Sequence, residues 1–158
     1  MYKGKYFTAK EDVASLIELR RQIPEFGTGA DEFDAMAFYA AAYDDEDVLS
    51  GCGRLYIDDD SHFRIDYLGV LPDRRSRFIG DLVARMLLYK AEQLNCAAIY
   101  ITVPTAVVRF FARYGFVAEE GITGDFINMS VEGSSIRLEG SCSKGKTGGC
   151  SGNCAQCV

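Results

Sequence analysis

Histidine is almost missing from this chain: His62 is the only one in 158 residues, so a catalytic triad centred on an imidazole has little to be built from. Positive charge is also short. Seventeen Lys and Arg stand against 23 Asp and Glu, for a formal charge of −6 and a pI near 4.8. A protein whose main task is gripping nucleic acid phosphates or an anionic membrane has the opposite balance, whereas a cationic or amine substrate is compatible with this one. Long apolar runs are lacking too: the longest, Met36 to Tyr43, is far below the ~20 residues of a membrane span. The N-terminal segment MYKGKYFTAKEDV has no apolar signal region. The expectation is a cytoplasmic protein with neither nucleic acid nor membrane among its partners.

What is present suits one globular unit. Hydrophobic residues make up 48% of the chain, with ten Phe and nine Tyr, enough for a core and against wholesale disorder. Six cysteines first resemble a disulfide framework, but Cys142, Cys150, Cys154 and Cys157 crowd into the last 17 residues while Cys52 and Cys96 lie in patterned segments.

Residues 4–8 read as a strand and Lys10 to Ile23 as a helix ended by Pro24. The acids of DEFDAM suit a short helical turn before a strand over Phe38 to Tyr43. Val48 to Ile57 and His62 to Leu71 form an antiparallel hairpin around Asp58-Asp59-Asp60-Ser61. Ser76 to Asn95 carries one apolar stripe through Ile79, Leu82, Val83, Met86, Leu87, Ala91 and Leu94 and predicts a helix packed on a sheet. Cys96 to Val103 is a buried strand, Thr105 to Tyr114 a helix, and 116–118 with 125–131 a closing pair of strands. The order gives an α+β fold with a twisted mixed sheet flanked by helices over residues 1–138, then an irregular Gly/Ser/Cys-rich tail over 139–158.

A loop running into a long helix offers unpaired N–H groups and a partial positive charge to an anion, and Arg74, Arg75 and Arg77 cluster in the loop that leads to residue 80. Three solvated arginines on a turn are the plainer alternative. The stretch IDYLGVLPDRRSRFIGDLVARML, the buried strand after it and FFARYGF together resemble the GNAT superfamily of acyl-CoA-dependent acyltransferases. The family pattern is a strand ending in L-x-V, a phosphate loop Q/R-x-x-G-x-G/A, a long helix, a strand, and a helix ending in F-Y-x-x-x-G-F. LRRQIPEF, DEFDAMAFYAAAYDD and GCGRLYID resemble the upstream parts of small bacterial members, and the likeness spans roughly residues 5–132.

The resemblance implies transfer of an acetyl or other short acyl group from acyl-CoA to a primary amine by direct attack. Its cofactor-binding residues map onto the backbone of Leu68, Gly69 and Val70 and the loop Arg74, Arg75, Ser76, Arg77, Phe78, Ile79 and Gly80. Asp66 is the expected proton acceptor, placed by alternation on the strand face of Leu68 and Val70, with pairing to Arg64 or Arg54 as the alternative. Glu32 and Asp34 resemble an acidic pair lining the substrate cleft; exposed helix-start acids are the other reading. CoA and a small-molecule amine are the implied partners, and a homodimer is admitted.

Three positions depart from the family pattern. Phe78 stands at the first glycine of the phosphate loop, Pro104 at a frequent asparagine and Phe111 at the motif tyrosine, while Tyr114 reads as packing. The tail cysteines Cys142, Cys150, Cys154 and Cys157 have no apolar neighbours to form a core, and four thiolates on a glycine-rich segment suit zinc, with an Fe–S cluster second and disulfides third. A second reading of the whole chain is therefore a catalytically degenerate CoA-binding module that senses metal or redox state through those cysteines.

Overall fold

Side-chain bonds to backbone set the first boundaries. In the computed structural model, which describes residues 1–26, 29–120 and 124–138, strand β1 (Lys3–Thr8) leads into helix α1 (Ala14–Gln22). The helix starts four residues later than the sequence predicts because Glu11 accepts the Thr8 N–H and Asp12 the Ala14 N–H, holding the intervening residues in a turn. A 3-10 turn (Glu32–Met36) is capped by Asp31 and enters β2 (Phe38–Tyr43), and the hairpin β3 (Leu49–Ile57) and β4 (Phe63–Val70) follows as expected. Helix α2 (Ile79–Gln93), β5 (Ala98–Pro104), α3 (Val108–Ala112), β6 (Val117–Ala118) and β7 (Phe126–Glu132) complete the order.

The strands form one mixed sheet in the order β1-β2-β3-β4-β5-β7-β6, antiparallel throughout except between β4 and β5. α2 buries Ile79, Val83, Ala84, Leu87, Leu88 and Ala91 against one face, where Ala40, Leu55, Ile65, Ile99 and Ile101 meet it. Each buried Ile, Val or Leu among them contributes roughly 1.5–3 kcal/mol, so the helix is firmly docked and its N-terminus is held in place. Gly53 lets it lie close: a Cβ there would stand 2.7 Å from Leu87 and 3.1 Å from Val83. α1 covers the opposite face over β1 to β3, with Leu16, Leu19 and Ile23 against Phe7, Tyr39, Ala41, Cys52 and Tyr56.

Two irregularities position the site. β4 and β5 pair only at Phe63 with Ile99 and Arg64 with Tyr100, and then part. β4 also bulges: Cys52 opposes Gly69, but Arg54 opposes Asp66, so Tyr67 and Leu68 share one residue of β3. Tyr67 absorbs the extra residue at φ 46°. No helix among the described residues is long and apolar enough to cross a membrane.

Candidate active site

The face of the sheet turned toward α1 carries a buried charge cluster beside the bulge. Arg54 is 1% exposed and is held between three carboxylates. Its Nε and Nη2 donate to Asp66 Oδ1 and Oδ2 (2.8 and 2.7 Å), its Nη1 and Nη2 to Asp31 (2.5 and 3.0 Å), and Nη1 also to Asp34 Oδ1 (3.0 Å). Arg20, 2% exposed, donates from Nη2 and Nη1 to the two oxygens of Asp34 (2.9 and 3.2 Å). The Tyr39 hydroxyl donates to Asp34 Oδ1 (2.5 Å), and the Tyr67 ring covers both guanidinium groups at 4.1 and 4.8 Å.

Electrostatics separates the three acids. Burial by itself raises the Asp34 carboxyl, but bonds from Arg20, Tyr39 and the Asp31 N–H outweigh it and hold Asp34 well below the ordinary carboxylate range. For Asp66 the balance is reversed: burial pushes its carboxyl up against the pull of Arg54, and Asp31 adds like-charge repulsion. The cluster holds three carboxylates and two guanidiniums, an excess of one negative charge, and the side chains of Asp31 and Asp66 each keep 31% exposure. An arriving ammonium group would neutralise that excess.

On the far side of the bulge, Leu71 N–H donates to Ser50 O (3.0 Å), so the antiparallel alternation turns the Val70 N–H away from β3 and toward the gap before β5. The gap runs to the N-terminus of α2, whose cap residue Phe78 makes no side-chain capping bond. Phe78 adopts the left-handed conformation (φ 60°, ψ 13°), with Ser76 also at φ 63°. The loop thus keeps a glycine-like backbone without the glycine, and the Phe78 ring is 67% exposed.

The sequence-predicted residues divide accordingly. Of the three loop arginines, Arg74 is tied to Asp44 (2.5 Å), and Arg75 to Glu25 (2.8 Å) and the Val70 carbonyl (3.2 Å). Arg77 is exposed and has no ionic partner among the described residues. Ile79 is buried in the core cluster, and Gly80 would meet nothing closer than 3.7 Å if it carried a Cβ. Asp66 pairs with Arg54, the alternative raised for it, and the expectation that it shares a face with Leu68 and Val70 is corrected. Those two pack against the α2-side core, and the bulge at Tyr67 leaves Asp66 on the α1 side. Glu32 and Asp34 do not form a pair lining a cleft. Glu32 is exposed, while Asp34 is 8% exposed and committed to Arg20, Arg54 and Tyr39, and the partly exposed neighbour of Asp66 is Asp31.

Arg20 and Tyr39 were missed as site residues; the signal was their place in LRR and in AFY, beside the quoted acidic segment. Phe111 is buried in the core and Tyr114 is 1% exposed with its hydroxyl donated to Asp81, as a packing role requires. Cys52 is no nucleophile, since burial pushes its thiol up to about 12. The proposed metal ligands Cys142, Cys150, Cys154 and Cys157 lie outside the described residues.

Solved structures share this architecture. An acyl-CoA N-acyltransferase from Pseudomonas aeruginosa superposes with a TM-score of 0.69 at 19% identity, covering 82% of this chain and 99% of its own. ElaA of Escherichia coli gives 0.69 at 19% identity, covering 84% and 100%. The PaiA N-acetyltransferase of Thermoplasma acidophilum, solved in complex with coenzyme A, gives 0.63 at 14% identity, covering 84% and 99%. At these identities the likeness establishes the fold, a mixed sheet flanked by helices. Residues 6–116 also match the family model described as the acetyltransferase (GNAT) family, and with that match spanning most of the chain, the protein belongs to the GNAT family of acetyltransferases.

Proposed function

We propose that the chain transfers an acetyl or other short acyl group from acyl-CoA to a primary amine by direct attack. The observation that carries this reading is the parting of β4 and β5 beyond Arg64 and Tyr100, which opens a strand edge leading to the uncapped start of α2. In this reading the α2 N-terminus and Arg77 hold the pyrophosphate, and Arg75 joins them when it leaves Glu25. The backbone of Leu68 to Val70 lines the pantetheine and places an N–H near the thioester oxygen, where negative charge develops in the transition state.

The amine approaches from the α1 side, where the excess negative charge of the Asp31/Asp66/Arg54 cluster favours a cation. Asp66 takes one proton from the bound ammonium, directly or through water, and the free amine then adds to the carbonyl carbon; the second nitrogen proton passes to solvent or to the departing thiolate as the intermediate collapses. The tetrahedral intermediate collapses with loss of CoA thiolate. A thiol with a pKa near ~8.5 leaves without full protonation, so the absence of a polar group at Phe111 and Pro104 does not block the step.

Titration calorimetry with acetyl-CoA tests the first half of this assignment. Saturable binding is expected, and no heat at about 1 mM ligand refutes it. Release of CoA thiol in the presence of an amine panel tests the second half.

A further inference from the structure

Among the described residues α1 packs mainly over β1 to β3, with Ile23 and Phe26 reaching Gly69 of β4, while the same face of β5 and β7 carries half-buried or exposed side chains such as Tyr100, Thr102 and Asn128. Registers fix what stands on it. Arg54 opposes Asp66 and Tyr56 opposes Arg64 across β3/β4; Arg64 pairs with Tyr100, Tyr100 with Ser130 and Thr102 with Asn128. Arg64 and Asp66 are therefore two residues apart on one face, roughly 7 Å along the strand, with Arg64 at the apex where β4 and β5 part. Thr102 and Asn128 lie across the opening from Asp66.

Here an open cavity of about 300 Å³ is lined by Arg64, Tyr100, Thr102, Glu119 and Asn128. A directed chain of hydrogen bonds crosses it. Arg64 Nη2 donates to Thr102 Oγ1 (3.2 Å), so the threonine hydroxyl spends its own proton on Asn128 Oδ1 (2.7 Å). That fixes the Asn128 amide with its oxygen used and its NH2 turned elsewhere as a donor. The rest of the Arg64 fork is loosely held: its Nη1 forms a long ion pair with Asp58 Oδ2 at 3.7 Å, and Asp58 Oδ1 is taken by the N–H groups of Asp60 and His62. The site thus offers a planar guanidinium whose Nη1 is held by that long ion pair, and an amide NH2 with no hydrogen-bonded acceptor among the described residues. Glu119 is exposed at the rim. The Tyr100 ring, packed at a tilt against His62 with centroids 4.6 Å apart, gives the wall an aromatic surface.

Resting on the acyl-transfer reading above, we infer that the acceptor is an amino carboxylate, whose carboxylate is held by Arg64 and the Asn128 amide while its amine lies toward Asp66. A guanidinium fork takes a carboxylate bidentately, so an incoming carboxylate displaces the longer Asp58 contact of Arg64 while the amine meets Asp66. A polyamine or a simple alkylamine has no carboxylate to compete with Asp58 for Arg64.

Matched pairs that differ only in the carboxylate test this on the full chain: L-phenylalanine with phenethylamine, L-lysine with cadaverine, and L-arginine with agmatine. CoA release gives kcat/KM, and ligand-observed NMR on CoA-loaded protein reads binding without turnover. The carboxylate members are expected to exceed their amines by about 10–100-fold, the worth of a charge-assisted pair. Arg64→Met should remove that preference by weakening the carboxylate members alone, and Arg64→Lys, which keeps the charge without the fork, should retain part of it. Equal values within each pair, an equal loss for both members in Arg64→Met, or no binding of any carboxylate member at about 10 mM overturns the inference. Acetyl-CoA calorimetry on the same samples separates the two layers: loss of CoA binding defeats the acyltransferase reading, whereas intact CoA binding without a carboxylate preference defeats this inference alone.

Discussion

Asp34→Asn isolates the energetics of the buried charge cluster. Asp34 is the only carboxylate paired with Arg20 among the described residues, and both are buried, so the substitution leaves a guanidinium uncompensated in the interior. Arg20 Nε already lacks a hydrogen-bond partner and can recruit no help there. Breaking one side of a buried pair costs about 3–5 kcal/mol, and the lower end applies because asparagine keeps one acceptor oxygen and Arg54 keeps Asp31 and Asp66. A loss of about 3 kcal/mol is a large share of the roughly 5–15 kcal/mol of a typical domain. With a urea m-value of about 2 kcal/mol/M, the unfolding midpoint should fall by about 1.5 M at unchanged slope. The pH dependence has a definite sign. The Asp34 carboxyl is held below its ordinary range in the folded state, so its contribution is fully present above the unfolded value near ~3.9 and fades as pH falls through the lower folded value. The gap between wild type and variant should therefore stay constant from about pH 5 upward and narrow only in stronger acid. Adding Arg20→Met should recover part of the loss by removing the stranded charge. A midpoint shift below about 0.5 M would refute the account, as would a gap that closes between pH 5 and 8.

Phe78→Gly should be more stable than Phe78→Ala by about 1 kcal/mol in thermal unfolding, since only glycine occupies φ 60° without steric cost; equal stabilities count against backbone strain at this cap. Arg77→Ala should weaken acetyl-CoA binding about tenfold by calorimetry while Arg74→Ala, whose guanidinium is spent on Asp44, changes it little; the reverse order rejects the assigned phosphate contacts. Glu25→Gln, which frees Arg75, should tighten the same binding, and no change would show that Arg75 takes no part. Asp66→Asn should lower kcat/KM by about 100-fold or more. Its pH profile should also lose the acidic limb that in wild type falls as Asp66 gains a proton, above the usual carboxylate range because of burial; a limb that survives the substitution assigns the proton elsewhere.

Periodicity was sufficient for the layers and insufficient for the site. The stripe from Ile79 to Ala91 and the continuous run over 98–103 correspond to α2 and β5, because burial on a sheet imposes exactly the spacing that apolar residues record. The face assigned to Asp66 went astray for a local reason. Strand alternation holds only while residues pair one to one, and the extra residue at Tyr67, an aromatic with no turn signature, reverses every face beyond it. Long-range charge pairing is equally silent in sequence: Asp34 meets Arg20 and Arg54 across separations of 14 and 20 residues, and nothing in DEFDAM says that its second aspartate points inward while Glu32 faces solvent. The two irregularities belong together. The bulge adds Tyr67 to the face where Asp66 pairs with Arg54 and Arg20 is buried, and the parting of β4 from β5 begins at Arg64 on that same face. A regular β4 would have put Tyr67 into the α2-side core and Leu68 beside the charges. The departure from regular pairing thus sets the Tyr67 ring over the two guanidiniums, beside a carboxylate of raised proton affinity and the strand edge exposed where β4 leaves β5.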